Sequence, residues 1–176
     1  AKFAQCHFQI VRMSLSQMND RKSCAMTCTT CLEQLSSCHY TKPIEQLIQQ
    51  NLMALFYHLR GWFCFCSNAQ QAVLDYSKAL EIRRDYAVAF NNRAVLLESL
   101  HEFQKAMADY SKAIELEPGY SKAYYNRSLL LEAMSEFVLS LRDAAMAYRL
   151  EPTDKDMQAH YHQLQKKVRT INSCPL

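Results

Sequence analysis

The sequence predicts an all-α fold built as a helical-hairpin solenoid of about three clear repeats, and three observations predict it. The 34 residues over 87–120 are followed by a degenerate copy of themselves over 121–154, and residues 73–86 match the second half of the same unit. Repetition at a period of about 20–50 residues indicates stacked supersecondary units. The 176 residues include only two glycines and four prolines, which leaves few sites for the turns of a β-sheet. Since a stack presents an open surface and not a closed pocket, we expect a protein that is not an enzyme.

The N-terminal 43 residues predict a pair of helices that is a candidate degenerate repeat. Apolar residues at helical spacing predict a helix over 2–18, and a second helix is predicted over 21–39. Pro43 closes the pair, because proline disfavours helix at the residue before it. Since the chain does not begin with methionine, we expect a processed or truncated product. The second helix of a repeat carries a small, a large and a small side chain on its packed face. In the helix over 21–39, we assign these three positions to Cys31, Leu35 and Cys38.

Three units follow, over 44–86, 87–120 and 121–154, and each predicts two amphipathic helices. The first unit begins with an extended helix from Ile44 to about Cys66. Small residues recur where two helices are expected to cross, and aromatic residues fill the gaps beside them. The residues that recur at a spacing of 34 are Ala72, Ala106 and Ser140, then Ala79, Ala113 and Ala147, and also Asp75, Asp109 and Asp143.

The last residues predict a terminal helix in place of a further unit. Residues 155–170 are polar on most of their predicted helical surface. A capping helix needs such a face, because nothing stacks on its outer side. Residues 171–176 are predicted to form a tail.

This pattern resembles the tetratricopeptide repeat, a 34-residue helix–turn–helix with an early aromatic residue, three small residues and a terminal proline. The resemblance covers residues 54–154, although Arg84 stands where the first unit should carry its proline. It implies an array in which the first helix of each pair lines a concave groove. The residues that match the family pattern are Gly61, Ala72, Tyr76 and Ala79, then Phe90, Ala94, Ala106, Tyr110, Ala113 and Pro118, then Tyr124, Ser128, Ser140, Ala144, Ala147 and Pro152.

The resemblance implies that the chain binds a protein. We predict a non-enzymatic adaptor or scaffold that holds a helix or peptide of a partner in the groove, as a subunit of a larger assembly. Trp62 is the only tryptophan, and the asparagines of the groove can hydrogen-bond a peptide backbone. The alternative is that the N-terminal helices fill part of the groove. The predicted partner-binding residues are His58, Trp62, Asn91, Asn92, Val95, Lys122, Tyr125, Asn126 and Leu129.

One subfamily with this repeat uses its groove as a dicarboxylate clamp for the acidic C-terminal tails of chaperones. Asn92 and Lys122 match two places of that clamp. His58, Trp62 and Asn126 stand where Lys, Asn and Arg are expected. Losing a lysine and an arginine removes most of the charge-assisted hydrogen bonds, so a co-chaperone with an incomplete clamp is an alternative function.

Four of the eight cysteines cluster, at Cys24, Cys28, Cys31 and Cys38. Their first three resemble the Cys-x3-Cys-x2-Cys iron–sulfur motif of radical S-adenosylmethionine enzymes, which need a far larger barrel. On a helix all four lie on one continuous stripe, so their sulfur atoms are spread along the helix axis and do not converge on one metal. We therefore predict reduced thiols that pack as small hydrophobes, with no metal and no cofactor. A metal- or redox-responsive protein that uses this cluster is the other alternative.

Other classes of function find little support. The net charge is +3 and no basic stripe with interleaved aromatics is present, so we predict no nucleic-acid partner. No apolar run approaches the roughly 20 residues of a membrane-spanning helix, so we predict no membrane insertion. There is no Gly-rich phosphate loop and no His-Glu-x-x-His motif. We expect a cytoplasmic location, with a mitochondrial or ciliary assembly as alternatives.

Overall fold

A computed structural model describes residues 21–37, 43–65 and 68–173. Within these ranges the protein is entirely helical and contains no strand, which confirms the predicted fold class. The predicted helix over 2–18 and the cysteines Cys38 and Cys66 lie outside the described residues. The helices are α1 (Arg21–Ser36), α2 (Pro43–Cys64), α3 (Ala69–Ile82), α4 (Ala87–Ser99), α5 (Phe103–Leu116), α6 (Ser121–Ala133), α7 (Phe137–Leu150) and α8 (Lys155–Ser173).

The ends of the helices follow from local sequence. α2 begins at Pro43 itself, because a proline in the first turn of a helix gives up no intrahelical hydrogen bond. α3 begins after Asn68, whose side chain accepts a hydrogen bond from the Gln71 backbone N–H. α8 continues to Ser173, beyond the predicted end at 170, since the next proline along the chain is Pro175.

The chain divides into two compact units between Leu96 and Leu97. In the first unit, the core between α1 and α2 is formed by the buried side chains of Cys28, Leu35 and Phe56 with their neighbours. A second cluster is centred on Tyr76 of α3, which is fully buried. Gly61 of α2 permits this packing, because a Cβ atom there would lie only 3.2 Å from the Tyr76 ring.

In the second unit, small residues lie at the helix crossings, as the repeat predicts. Ala106 and Ala113 of α5 and Ala147 of α7 are fully buried, whereas Ala108 on the outer side of α5 is exposed. The unit therefore packs in the predicted helical register.

An arginine clamp recurs in both units. In the first, Arg60 of α2 donates from Nε and Nη2 to the two carboxylate oxygens of Asp75 in α3, at 2.8 and 2.5 Å. Its Nη1 donates to the hydroxyl of Thr29 in α1, 3.2 Å away. In the second, Arg127 of α6 makes the same paired contact with Asp143 of α7. Each clamp ties a first helix to the second helix of its own repeat and to the helix that precedes it.

This clamp corrects the predicted register of α1. Arg93 donates to Ser77 and Arg127 donates to Ser111, and each serine directly follows the central tyrosine of a second helix. Thr29 plays the same part for Arg60, so Cys28 takes the place of that tyrosine. The prediction that Cys31, Leu35 and Cys38 hold the small, large and small places was wrong by two helical turns, because the spacing of the cysteines fits both registers. The three places are held by Cys24, Cys28 and Cys31.

Candidate partner-binding faces

In the first unit, α2 carries two predicted site residues with different surroundings. Trp62 is 52% exposed, so its indole is open to solvent. His58 is partly buried between two aromatic rings, with its centroid 5.3 Å from that of Tyr76 and 4.9 Å from that of Tyr86. Burial lowers the pKa of His58 to about 4, so the imidazole is neutral near pH 7. His58 therefore supports the fold of this face, while Trp62 faces solvent.

The predicted asparagines of α4 form one connected pair. Asn91 is buried, with 4% of its surface exposed, and its amide donates to Asn92 Oδ1 at 3.3 Å. Asn92 is partly buried. Burial raises the pKa of the Tyr76 hydroxyl, and the Asn92 amide beside it opposes that rise. Val95, one turn further along α4, is partly exposed. Asn92 and Val95 are thus the accessible members of this group.

In the second unit, the predicted site residues lie on one face of α6. Lys122 is exposed and Leu129 is 37% exposed, while Asn126 between them is partly buried. The ring of Tyr125 packs edge-on against His160 of α8, with centroids 5.5 Å apart. Burial, followed by the charges of Asp156 and Asp154, raises the pKa of Tyr125. Lys122 and Leu129 are the exposed side chains among these predicted residues.

A buried polar network lies behind this face and was not predicted from the sequence. Ser128 Oγ donates to the Ser140 carbonyl at 2.9 Å, and Ser140 Oγ donates to the Ser128 carbonyl at 2.8 Å. His160 Nε2 lies 2.8 Å from Ser128 Oγ, while its Nδ1 is 3.7 Å from Glu132 Oε2. Burial lowers the pKa of His160, and Glu132 opposes that change. The signal was available, since His160 lies 34 residues after Asn126, as Asn126 lies 34 after Asn92.

The clustered thiols lie in the core. Cys28 and Cys31 are fully buried, and Cys24 is 4% exposed. Burial, followed by the neighbouring Cys31 and Cys24, raises the pKa of Cys28 to about 12, so its thiol stays protonated. Across residues 21–37, 43–65 and 68–173, no group of three or more His, Cys, Asp or Glu side chains is arranged to hold a metal ion. The predicted fourth member, Cys38, lies outside the described residues.

Among residues 21–37, 43–65 and 68–173, no helix has the length and apolar character needed to cross a bilayer.

Residues 87–120 match the family model of the tetratricopeptide repeat. This segment is therefore a tetratricopeptide repeat. The fold of the chain is similar to that of the Arabidopsis OM64 TPR domain, with a TM-score of 0.64 and 24% identity, over 67% of this chain and 98% of that domain. No curated protein sequence matches this chain.

Two further solved domains share the repeat fold. The first TPR of Spaghetti (RPAP3), bound to the HSP90 peptide SRMEEVD, has a TM-score of 0.64 and 22% identity, over 68% of this chain and 95% of that one. The TPR2B domain of yeast Sti1, in a complex with pHsp70, has a TM-score of 0.62 and 24% identity, over 66% of this chain and 98% of that one. This chain therefore shares its fold with domains that were solved together with a bound peptide or partner.

Proposed function

We propose that this tetratricopeptide-repeat protein is a non-enzymatic adaptor that binds a helix or peptide of a partner on the exposed faces of its first helices, as a subunit of a larger cytoplasmic assembly. One observation carries the proposal. Trp62, Val95 and Leu129 occupy the same place in successive repeats, at spacings of 33 and 34 residues. Trp62 is 52% exposed and Leu129 is 37% exposed, so the repeat presents large apolar side chains to solvent at this place.

Polar groups beside these residues support recognition of a backbone. Asn92, held by Asn91, is partly exposed on the face of α4, and Lys122 is exposed on the face of α6. Amides can satisfy the N–H and C=O groups of a peptide, while exposed apolar anchors contribute most of the binding energy. We therefore propose that Trp62 and Leu129 contribute most of the binding energy. Asn92 and Lys122 would fix the position of the bound peptide along the face.

The test compares two exposed leucines. Leu129 lies on the proposed face of α6, whereas Leu74 lies on α3 and is 56% exposed. A partner is first recovered by pull-down with the wild-type chain, and its affinity is then measured by calorimetry. Leu129→Ala and Trp62→Ala should each weaken binding by about ten-fold or more, the cost of losing an anchor residue. Leu74→Ala should leave it unchanged. Equal affinities for all four proteins would reject these faces as the binding site.

A second candidate function is binding of acidic chaperone tails. It is favoured by Asn92 and Lys122, which match two places of the clamp, and by the fold shared with a domain bound to the HSP90 peptide SRMEEVD. Titration of the chain with this peptide tests the function. If the incomplete clamp works, Lys122→Ala should weaken binding by about ten-fold, since a charge-assisted hydrogen bond is lost. No measurable binding by the wild-type chain would exclude this candidate and leave the first one standing.

A further inference from the structure

The second unit contains an apolar cleft that the proposed function does not use. It has a volume of about 450 Å³ and lies between α5, α6 and α7. Three charged residues belong to its lining: Arg127, its partner Asp143, and Arg142. The apolar lining comes from Met107, Ile114, Tyr124, Leu131, Leu139 and Met146.

The cleft lies on the other side of α6 from the proposed partner-binding face. Tyr124, Arg127 and Leu131 line the cleft, at spacings of three and four residues along the helix. The proposed face carries Lys122 and Leu129 instead. At 3.6 residues per turn, these two stripes point in roughly opposite directions from the helix axis. The cleft is therefore a separate site within the second unit.

The two preceding repeats indicate that the apolar side chains of α7 in this cleft and beside it are not needed for folding. Val138 and Leu139 are 70% and 48% exposed. A tetratricopeptide repeat folds with polar residues at the same places, because the two preceding repeats carry glutamine or lysine there. The corresponding residues are Gln70, Gln104 and Val138, then Gln71, Lys105 and Leu139, and then Lys78, Lys112 and Met146.

The charge of the cleft is not balanced. Arg127 uses its guanidinium on Asp143 and on the Ser111 hydroxyl, so this pair contributes no net charge. Arg142 is exposed, and its guanidinium makes no ion pair with any residue that the structure describes. The two preceding repeats have Leu74 and Ala108 at its place, so the repeat does not require a cation there. One positive charge thus stands beside the apolar lining.

We propose that this cleft docks an acidic amphipathic helix of a partner protein. An aliphatic or aromatic side chain of that helix enters the cleft beside Met107 and Met146, and a carboxylate one turn away pairs with Arg142. The open rim formed by Leu139 and Arg142 favours a side chain of a macromolecule, since a small-molecule site encloses most of its ligand. Flexible methionines suit such a surface, because they adapt to side chains of different shape.

The experiment uses the full chain with ¹³C-labelled methionine methyl groups, so that Met107 and Met146 report on the cleft directly. The probe is an alanine-based helical peptide with two leucines one turn apart and a glutamate one turn from each. Its matched controls carry lysine for glutamate, or alanine for leucine. We expect the acidic leucine peptide to shift both methyl resonances. Both controls should bind about ten-fold more weakly or not at all, because each lacks one of the two interactions.

Three protein variants test the charged contact and the apolar contact separately. Arg142→Glu should reverse the preference, so that the lysine peptide binds better than the glutamate peptide. Leu139→Ala should weaken binding, whereas Val138→Ala, a neighbouring exposed change outside the cleft lining, should not. Circular dichroism checks that all three stay folded.

Two outcomes would overturn the proposal. One is equal binding of the acidic and basic peptides to the wild-type chain. The other is a shift of both methyl resonances on concentrating the protein alone, which would show that a second copy covers this face. Neither outcome bears on Trp62 and Leu129, so the proposed function is tested separately.

Discussion

Arg127 holds Asp143 with two short hydrogen bonds, from Nε to Oδ2 at 2.6 Å and from Nη2 to Oδ1 at 2.9 Å. Asp143 is 5% exposed, so its carboxylate has almost no access to water. Arg127→Met should therefore cost about 3 kcal/mol of unfolding free energy, because it leaves a buried charge without its partner. Chemical denaturation measures this cost.

The control for that change is a surface pair in the same unit. Lys112 Nζ lies 2.9 Å from Glu115 Oε1, and the two side chains are 42% and 68% exposed. Lys112→Met should change stability by less than about 0.5 kcal/mol, since solvent screens an exposed pair. Similar costs for Arg127→Met and Lys112→Met would contradict the structural role of the clamp.

The helix crossings of the second unit predict a contrast between two alanines of α5. Ala113 is fully buried and Ala108 is exposed. Ala113→Leu should cost about 1–3 kcal/mol, because the larger side chain must displace packed neighbours. Ala108→Leu should leave the melting temperature almost unchanged. If thermal unfolding shows equal effects, the register assigned to α5 is wrong.

The thiols of α1 should be unreactive in the folded protein. Cys28 is fully buried and its pKa is raised to about 12, so the reactive thiolate is scarce at neutral pH. A thiol reagent should modify Cys28 only as fast as the first unit opens, and should modify the less buried Cys64 sooner. Mass spectrometry of labelled peptides gives both rates. Rapid labelling of Cys28, or one equivalent of zinc in the purified protein, would refute the packing role.

His58 makes the first unit sensitive to acid. Its pKa is lowered from 6.5 to about 4 by burial, so below pH 6.5 the unfolded chain takes up a proton that the folded chain does not. Its contribution to stability is therefore complete above about pH 6.5 and is lost as the pH falls towards 4. His58→Phe should flatten the pH dependence of stability in that window. His162→Gln on α8, which changes an exposed histidine, should keep the wild-type slope.

The repeat period predicted the fold, because a 34-residue spacing of small residues and aspartates fixes which helix faces meet. It also predicted that Ala106 and Ala113 would lie at helix crossings, where both are fully buried. A second prediction, the register of α1, failed because cysteine serves equally well as a small residue and as a core residue. The clamp between Arg60 and Thr29 decides the register, and that contact joins residues 31 positions apart.

The candidate site could be predicted only in part. Periodicity places Asn91, Tyr125 and Leu129 on the faces of first helices, but it does not say which neighbour covers each one. Burial removes Asn91 from the surface, and His160 of α8 covers one edge of Tyr125. Leu129 stays exposed. Asn91 and Tyr125 differ from Leu129 in their burial because of contacts between residues that are distant in the sequence. The spacing of residues within one helix does not predict such contacts.

The contact between Ser128 and His160 has a consequence for how the chain opens. A helix that packs on one side only usually detaches from a solenoid before the others, because it has one neighbouring repeat. Detaching α8 would break this 2.8 Å contact and would expose Met157 and Leu164, which are 3% and 0% exposed when it is docked. These contacts hold α8 against the repeat that precedes it. Hydrogen exchange should show the central amides of α8 opening together with those of α6 and α7.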